Sequence, residues 1–87
     1  MAPQRNFFDL TLDLHGMERD RALRLVQSHL YSGKNRGKSI LIIHGCGNGI
    51  LRAAVRQFAS ECQLVQECWE GELYNLPGNA GVTAVFL

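Results

Sequence analysis

Residues 38–55, KSILIIHGCGNGILRAAV, decide how this chain folds. The apolar run at residues 40–43 has the length and composition of a strand that is buried on both faces. From Ile50 onward, apolar residues recur at the spacing of an amphipathic helix. The segment HGCGNG at residues 44–49 joins the two, and its glycines allow the positive φ angles of a tight turn. The stretch therefore predicts a strand, a turn and a helix.

The segment before this stretch predicts a strand and a helix. Leucines at positions 10, 12 and 14 alternate with polar residues, as in a strand with one buried face that ends at His15 and Gly16. Acidic residues suited to a first helical turn follow, and apolar residues then recur at helical spacing as far as Leu30. Gly33 is expected to end this helix. Together with the strand at residues 40–43, these elements form a βαβ unit.

The segment after it predicts a helix and two strands. The helix carries a clear apolar stripe and is expected to turn Arg52 and Arg56 outward. Residues 64–69 and 81–87 predict the third and fourth strands, with an irregular, turn-rich connection between them. The element order βαβαββ predicts an α/β protein of the two-layer α+β type, in which a mixed four-stranded sheet packs with two helices.

Length and composition bound the class of protein. Eighty-seven residues suffice for one domain, with residues 1–9 expected to form an N-terminal arm or linker and residues 10–87 the folded part. No apolar run approaches the length of a membrane span, so we expect a soluble protein without a membrane partner. Three cysteines without a CxxC pair argue against disulfides and favour a reducing, cytoplasmic setting. A net charge of +1 means that any bound nucleic acid must be held by a local patch or by other domains of a longer polypeptide.

Polar residues follow two neighbouring strands at the point where each strand ends. His15 follows the first strand and His44 the second, and the carboxyl ends of parallel strands lie at the same edge of a sheet. Asp13, two residues before His15, projects from the same face of its strand. Imidazole accepts and donates protons near neutral pH, so two histidines with a nearby carboxylate suit cleavage of a phosphodiester bond. We therefore predict Asp13, His15 and His44 as catalytic residues.

The glycine-rich turn predicts a phosphate site at the same edge. Its backbone can approach a bound group closely, and the following helix directs unpaired N–H groups and a positive dipole end toward the turn. Anions suit such a place. The predicted phosphate-binding residues are Gly16, Gly45, Cys46, Gly47, Asn48, Gly49 and Arg52.

Other interpretations of these residues stay open. A zinc ion could be held by His15, His44 and Cys46, although nothing in their spacing requires it. Cys46 beside His44 is a weaker candidate for a cysteine nucleophile, because adjacent residues in a turn rarely point at each other. A small-molecule phosphate-binding enzyme would rest on the glycine turn alone. His29 is interpreted as a structural residue of the first helix.

Three signatures in the sequence together resemble those of the Smr (small MutS-related) domain family. They are LDLHG at residues 12–16, HGCGNG at residues 44–49 followed by Leu51-Arg52, and GVT at residues 81–83. The resemblance covers about residues 10–87, and the first two signatures are specific in this order and spacing. It implies a βαβαββ sandwich similar to the C-terminal domain of bacterial translation initiation factor three.

The resemblance also implies an endonuclease activity on DNA or RNA. Asp13 and His15 match the catalytic first signature, while His44 and the glycines after it match the second. Family members occur alone, at the C-terminus of MutS-like ATPases or attached to RNA-binding repeats, so the expected partners are nucleic acid and a larger protein. Whether a divalent metal such as Mg²⁺ or Mn²⁺ serves as a cofactor is left open by the sequence. The alternative is a non-catalytic module that docks a larger MutS-like protein on nucleic acid or the ribosome.

Two departures from the family pattern bear on the site. The position of Cys46 is commonly a lysine in the family, so one expected phosphate contact is missing and weaker binding or cutting is expected. Ahead of Gly81 the family usually has paired glycines, whereas this chain has Pro77-Gly78-Asn79-Ala80. The loop on the substrate side is therefore expected to differ in shape.

Overall fold

The structure is a computed structural model in which residues 7–87 are described. This range contains four strands and three helices, with 3₁₀ turns at Gly33–Asn35 and Asn79–Gly81. No helix within it is long and apolar enough to cross a membrane. The elements are β1 (Leu10–Asp13), α1 (Arg19–Leu30), β2 (Ser39–Ile43), α2 (Ile50–Glu61), β3 (Glu67–Glu70), α3 (Gly71–Tyr74) and β4 (Val82–Phe86).

The four strands form one mixed sheet in the order β1-β2-β4-β3. β1 runs parallel to β2, and β4 runs antiparallel to both β2 and β3. The register pairs Asp13 with Ile43 and Ile43 with Val82, so the ends of β1 and β2 meet the start of β4. The end of β3 lies at the same edge, because Glu70 pairs with Thr83. The predicted mixed four-stranded sheet is confirmed, and four segments of the sequence converge at one of its edges.

The sheet is covered on both faces, which explains the unbroken apolar run in β2. Ile40 and Ile42 are fully buried in a cluster formed with the helices. Leu41 and Ile43 alternate with them and pack against a second cluster on the opposite face. That second cluster has a buried core of Phe8, Leu76, Val82 and Ala84.

The connection between β3 and β4 is more regular than predicted. It contains α3 and the 3₁₀ turn before β4, so the structure has three helices rather than the two expected from the sequence. Gly71 lets α3 start close to β4: a Cβ there would lie 2.6 Å from Cγ2 of Val82 and 2.8 Å from its carbonyl oxygen. Asn75 ends α3 in the left-handed conformation, with φ of 55°. A four-residue helix is too short to show helical periodicity in a sequence.

Two predicted boundaries were wrong by a few residues. α1 ends at Leu30, and Gly33 starts a 3₁₀ turn instead of ending the helix. β3 begins at Glu67 rather than at residue 64, because the N–H of Val65 turns back to the carbonyl of Cys62 at 3.2 Å.

Packed structure begins before residue 10. Residues 1–6 of the predicted N-terminal arm lie outside the described residues, but Phe8 is buried against the second face of the sheet. The carboxylate of Asp9 accepts the backbone N–H of Ser39 at 2.9 Å. These contacts tie residue 8 to the second face of the sheet and residue 9 to the first residue of β2.

Candidate active site

One backbone carbonyl joins two of the three sequence signatures. The oxygen of Gly81 accepts the N–H of His44 at 3.0 Å and the N–H of Gly45 at 2.9 Å. The first signature is linked to the residue just before His44, because the N–H of Leu14 donates to the carbonyl of Ile43 at 2.7 Å. The predicted convergence of strand ends is therefore present, and the start of β4 is part of it.

Asp13 and His15 form a hydrogen-bonded pair at this edge. Nδ1 of His15 lies 2.6 Å from Oδ1 of Asp13, which also accepts the backbone N–H of His15 at 3.3 Å. The hydrogen bond from Asp13 raises the pKa of His15, and the same bond lowers the pKa of Asp13. A carboxylate only accepts, so Nδ1 carries the proton and Nε2 is the acceptor of the neutral ring. Both side chains are exposed, at 70% for His15 and 57% for Asp13.

The glycine turn takes the geometry that its sequence predicts. Gly45 and Gly49 have φ of 83°, a conformation that glycine adopts without steric cost. Gly49 caps α2, and the side-chain oxygen of Asn48 accepts the N–H of Ile50 at 3.1 Å. The guanidinium of Arg52 lies over the turn, 3.1 Å from where a Cβ of Gly49 would stand. One cation and the first amides of α2 therefore meet at the turn.

A groove of about 280 Å³ opens beside the turn. Most of the predicted phosphate-binding residues line it, and His15 adjoins it, because a Cβ on Gly45 would lie 3.5 Å from Cβ of His15. Cys46 does not line the groove; its exposed side chain packs beside Gly81. The lining residues are Gly16, Met17, His44, Gly45, Gly47, Asn48, Gly49, Leu51 and Arg52.

His44 is buried, unlike His15. The ring is only 4% exposed, its Nδ1 lies 3.0 Å from the carbonyl of Gly45, and its Nε2 lies 2.8 Å from the hydroxyl of Thr83. Burial lowers the pKa of His44, and the charges of Arg56 and Arg52 lower it further. The ring is therefore neutral at pH 7, with the proton on Nδ1 because a carbonyl can only accept.

Arg56 is a site residue that the sequence prediction placed wrongly. Its side chain is only 15% exposed instead of pointing outward. Nε donates to the hydroxyl of Thr83 at 2.8 Å, and the guanidinium binds both carboxylate oxygens of Glu72 at 2.7 and 2.9 Å. The bond to Arg56 lowers the pKa of Glu72 to about 2. The network of His44, Thr83, Arg56 and Glu72 thus connects β2, β4, α2 and α3.

The described residues contain no preformed metal-binding site. Within residues 7–87, no three His, Cys, Asp or Glu side chains are grouped so that they could hold a metal ion. The zinc site considered for His15, His44 and Cys46 is not formed, because both ring nitrogens of His44 are engaged by protein groups.

The fold and site together define a class. A mixed four-stranded sheet carries an Asp-x-His pair at one strand end and a glycine-rich turn at the next, which are the features of a small nuclease-related α+β domain. The Smr domain family model matches residues 12–87, so this chain belongs to the Smr domain family. The resemblance drawn from the three signatures is confirmed.

Relatives and a solved structure agree with this assignment. The chain is 36% identical over 80 residues to an Endonuclease MutS2 of Caldicellulosiruptor saccharolyticus, covering 91% of this chain and 10% of that protein. It is 33% identical over 78 residues to an Endonuclease MutS2 of Aquifex aeolicus, covering 88% and 10%. The crystal structure of the Smr domain of Thermus thermophilus MutS2 superposes with a TM-score of 0.74 at 30% identity, covering 88% of this chain and 95% of that one. The chain thus spans about a tenth of the length of the relatives, and they are larger proteins.

Proposed function

We propose that this domain nicks or cleaves phosphodiester bonds in DNA or RNA, with His15 as the group that transfers protons. The observation that carries the proposal is the 2.6 Å contact between His15 and Asp13, at an exposed edge beside the glycine groove. The name Endonuclease on the larger relatives supports the same reaction class.

In the proposed reaction, His15 accepts a proton at Nε2 from the attacking oxygen, which belongs to water or to a ribose 2′-hydroxyl. That oxygen bonds to phosphorus while the bond from phosphorus to the leaving oxygen breaks. The leaving oxygen takes a proton from the imidazolium or from water, which balances the charge. Asp13 orients the ring and stabilises the imidazolium, because its carboxylate accepts the Nδ1 proton.

The glycine groove would hold the phosphate that is attacked. Gly47 leaves open space at its Cα, where a Cβ would meet nothing within 4 Å, so a ligand can approach the backbone there. The N–H of Ile50 is taken by Asn48, so the next amides of α2 and the guanidinium of Arg52 supply donors and positive charge for the phosphoryl oxygens.

We assign His44 to positioning rather than to proton transfer. Its ring is buried, and both nitrogens have protein partners. The bond from Nδ1 to the carbonyl of Gly45 holds the turn at the end of β2. Arg56 fixes the other side of the ring through Thr83.

A divalent cation such as Mg²⁺ or Mn²⁺ remains part of the proposal. Asp13 is the carboxylate best placed to contact it, since both of its hydrogen bonds to His15 use Oδ1. Water and substrate phosphates complete the coordination of such ions at many nucleic-acid sites. The cation would neutralise negative charge on the phosphoryl group.

A second candidate is a non-catalytic module that docks a larger protein on nucleic acid or the ribosome. The high exposure of Asp13 and His15 favours it, because an open site in contact with water stabilises developing charge poorly. In either case we expect the domain to act within a larger protein in the cytoplasm, a setting consistent with the three free cysteines.

Cleavage assays with supercoiled plasmid and with structured RNA test the proposal, each with Mg²⁺, Mn²⁺ or a chelator. His15→Ala should slow cleavage by about 100-fold or more, the scale of general acid–base catalysis. His29→Gln is the matched control, because His29 lies on α1 and its ring bonds only the carbonyl of Leu25 among residues 7–87. Equal cleavage by the wild type and His15→Ala would overturn the role of His15. Tight binding without cleavage by the wild type would select the docking module.

A further inference from the structure

The near-neutral net charge conceals a strong separation of charge along the chain. Residues 21–60 contain seven of the nine Lys and Arg residues and no Asp or Glu. Residues 61–72 contain four of the eight Asp and Glu residues and no Lys or Arg. The cations of the first segment are Arg21, Arg24, Lys34, Arg36, Lys38, Arg52 and Arg56.

Two of these cations lie together on the outer face of α1. Arg21 and Arg24 are exposed and stand three residues apart, so they share a face of the helix. Neither forms an ion pair with any residue in the range 7–87, whereas Arg56 is paired with Glu72. With Met17, Leu25 and Ser28 they line a shallow surface groove, which we call the α1 strip.

The α1 strip is continuous with the glycine groove. Met17 lines both, since it lies between the end of β1 and the start of α1. Arg52 lies in the glycine groove, so the path from Arg52 past Met17 to Arg21 and Arg24 carries three cations. The carboxylates of residues 61–72 belong to the end of α2, to β3 and to α3, and β3 is the strand furthest from β1.

We propose that the α1 strip binds the sugar–phosphate backbone of nucleic acid as it leaves the glycine groove. This rests on the proposed function, because the groove must hold a phosphate of the same strand. Arg21 and Arg24 are about 4.5 Å apart along the helix axis, so their side chains extend from adjacent points on one face of α1. Guanidinium groups bind phosphate oxygens in bidentate fashion, so the pair can hold neighbouring phosphates. On the β3 side, Glu70 and Glu72 face Arg56, which leaves Glu61 and Glu67 as the carboxylates that disfavour a strand there.

Binding assays in a His15→Ala background test this assignment without loss of substrate. A fluorescent single-stranded oligonucleotide is titrated by anisotropy over a salt range of about 50 to 200 mM. The double variant Arg21→Gln, Arg24→Gln is compared with Lys34→Gln, Arg36→Gln, which removes the same charge from exposed positions at the far end of α1. Both pairs are on the surface, so folding is expected to stay within about 0.5 kcal/mol of the parent.

We expect the α1 variant to reduce the slope of log K against log salt by about 1.4, which is two phosphate contacts on a single strand. The control variant should leave the slope unchanged. Equal slopes for the two variants, with binding intact, would overturn the α1 strip and leave the proposed function standing. Absence of salt-dependent binding by the parent protein would overturn both. Competition by polyglutamate as strong as by the oligonucleotide would identify an acidic protein as the partner and also overturn the assignment.

Discussion

The hydroxyl oxygen of Thr83 lies 2.8 Å from Nε2 of His44, although the two residues are 39 positions apart in the chain. The same oxygen accepts the Nε–H of Arg56 at 2.8 Å. A guanidinium only donates, so the hydroxyl proton of Thr83 is available to Nε2 of the neutral His44 ring. This single hydroxyl holds both the ring of His44 and the side chain of Arg56 in place, while the carbonyl of Gly45 sets the tautomer of the ring.

Replacing Thr83 by valine keeps the shape and removes the hydroxyl. We expect Thr83→Val to lower the free energy of unfolding by about 1 to 3 kcal/mol, because Arg56 and His44 each lose a buried partner. Thr83→Ser retains the hydroxyl and should cost less than about 1 kcal/mol. Urea denaturation at pH 7 measures both. Equal losses for the two variants would show that the hydrogen bonds contribute nothing beyond packing.

Asp13→Asn should change the acid–base behaviour of His15. The carboxylate raises the pKa of His15 above its ordinary value of 6.5, so its removal lets the pKa fall toward that value. Only the neutral ring accepts a proton, so the acidic limb of the pH–rate profile should move to lower pH. The maximum rate should also fall, because the ring loses the group that orients it.

NMR titration of the His15 ring protons measures this pKa directly. The ring of His29 serves as an internal control, because its hydrogen bond to the carbonyl of Leu25 is unaffected by the substitution. A pKa of His15 that is the same in Asp13→Asn and in the wild type would contradict the pairing seen in the structure.

Gly47→Ala should lower the affinity for nucleic acid without lowering the stability of the fold. Gly47 does not have a positive φ, and a Cβ there would meet nothing within 4 Å, so stability should change by less than about 0.5 kcal/mol. Affinity for nucleic acid should nevertheless fall by about tenfold, the scale of one lost phosphate hydrogen bond, because the methyl group stands in the groove.

Gly45→Ala is the comparison for Gly47→Ala, because it should lower the stability of the fold. Gly45 has φ of 83°, where an alanine costs about 1 to 2 kcal/mol, so the fold itself should be destabilised. Thermal unfolding and the anisotropy assay measure the two effects. Unchanged affinity in a stable Gly47→Ala protein would place the phosphate elsewhere.

Gly71→Ala should destabilise the edge of the sheet at α3. The added methyl group would overlap Val82 and the carbonyl of Asn79, so we expect a loss of about 1 to 3 kcal/mol in the free energy of unfolding. Gly33→Ala is the control, because a Cβ at that position meets nothing within 4 Å. Similar unfolding midpoints for the two variants would mean that α3 is free to shift away from β4.

Periodicity predicted most of the fold. The apolar spacing of residues 51–59 and the run at residues 40–43 depend on local chemistry, so the positions of α2 and β2 followed from them. The pairing of Asp13 with His15 also followed from the sequence, since the alternation of buried and exposed residues continues past the end of β1 through Leu14 and leaves both side chains exposed.

The burial and the hydrogen-bond partners of His44 and Arg56 could not be predicted from the sequence in this way. Whether a histidine at a strand end is exposed depends on which strand pairs beside it. Here that strand is β4, and its residue Thr83 is 39 positions after His44 in the chain. Arg56 flanks the apolar stripe of α2, and its long side chain reaches inward only because Thr83 and Glu72 stand there. The one signal in the sequence was Thr83, a polar residue in a strand that is otherwise apolar.

The carbonyl of Gly81 that receives two amides from the glycine turn has a consequence for motion. Both bonds hold the first residues of the turn to β4, so the amide hydrogens of His44 and Gly45 should exchange with solvent slowly. A binding loop held in this way is already ordered before any ligand arrives. The conformational entropy of these first residues of the turn is therefore lost during folding, and binding a ligand there need not order them again.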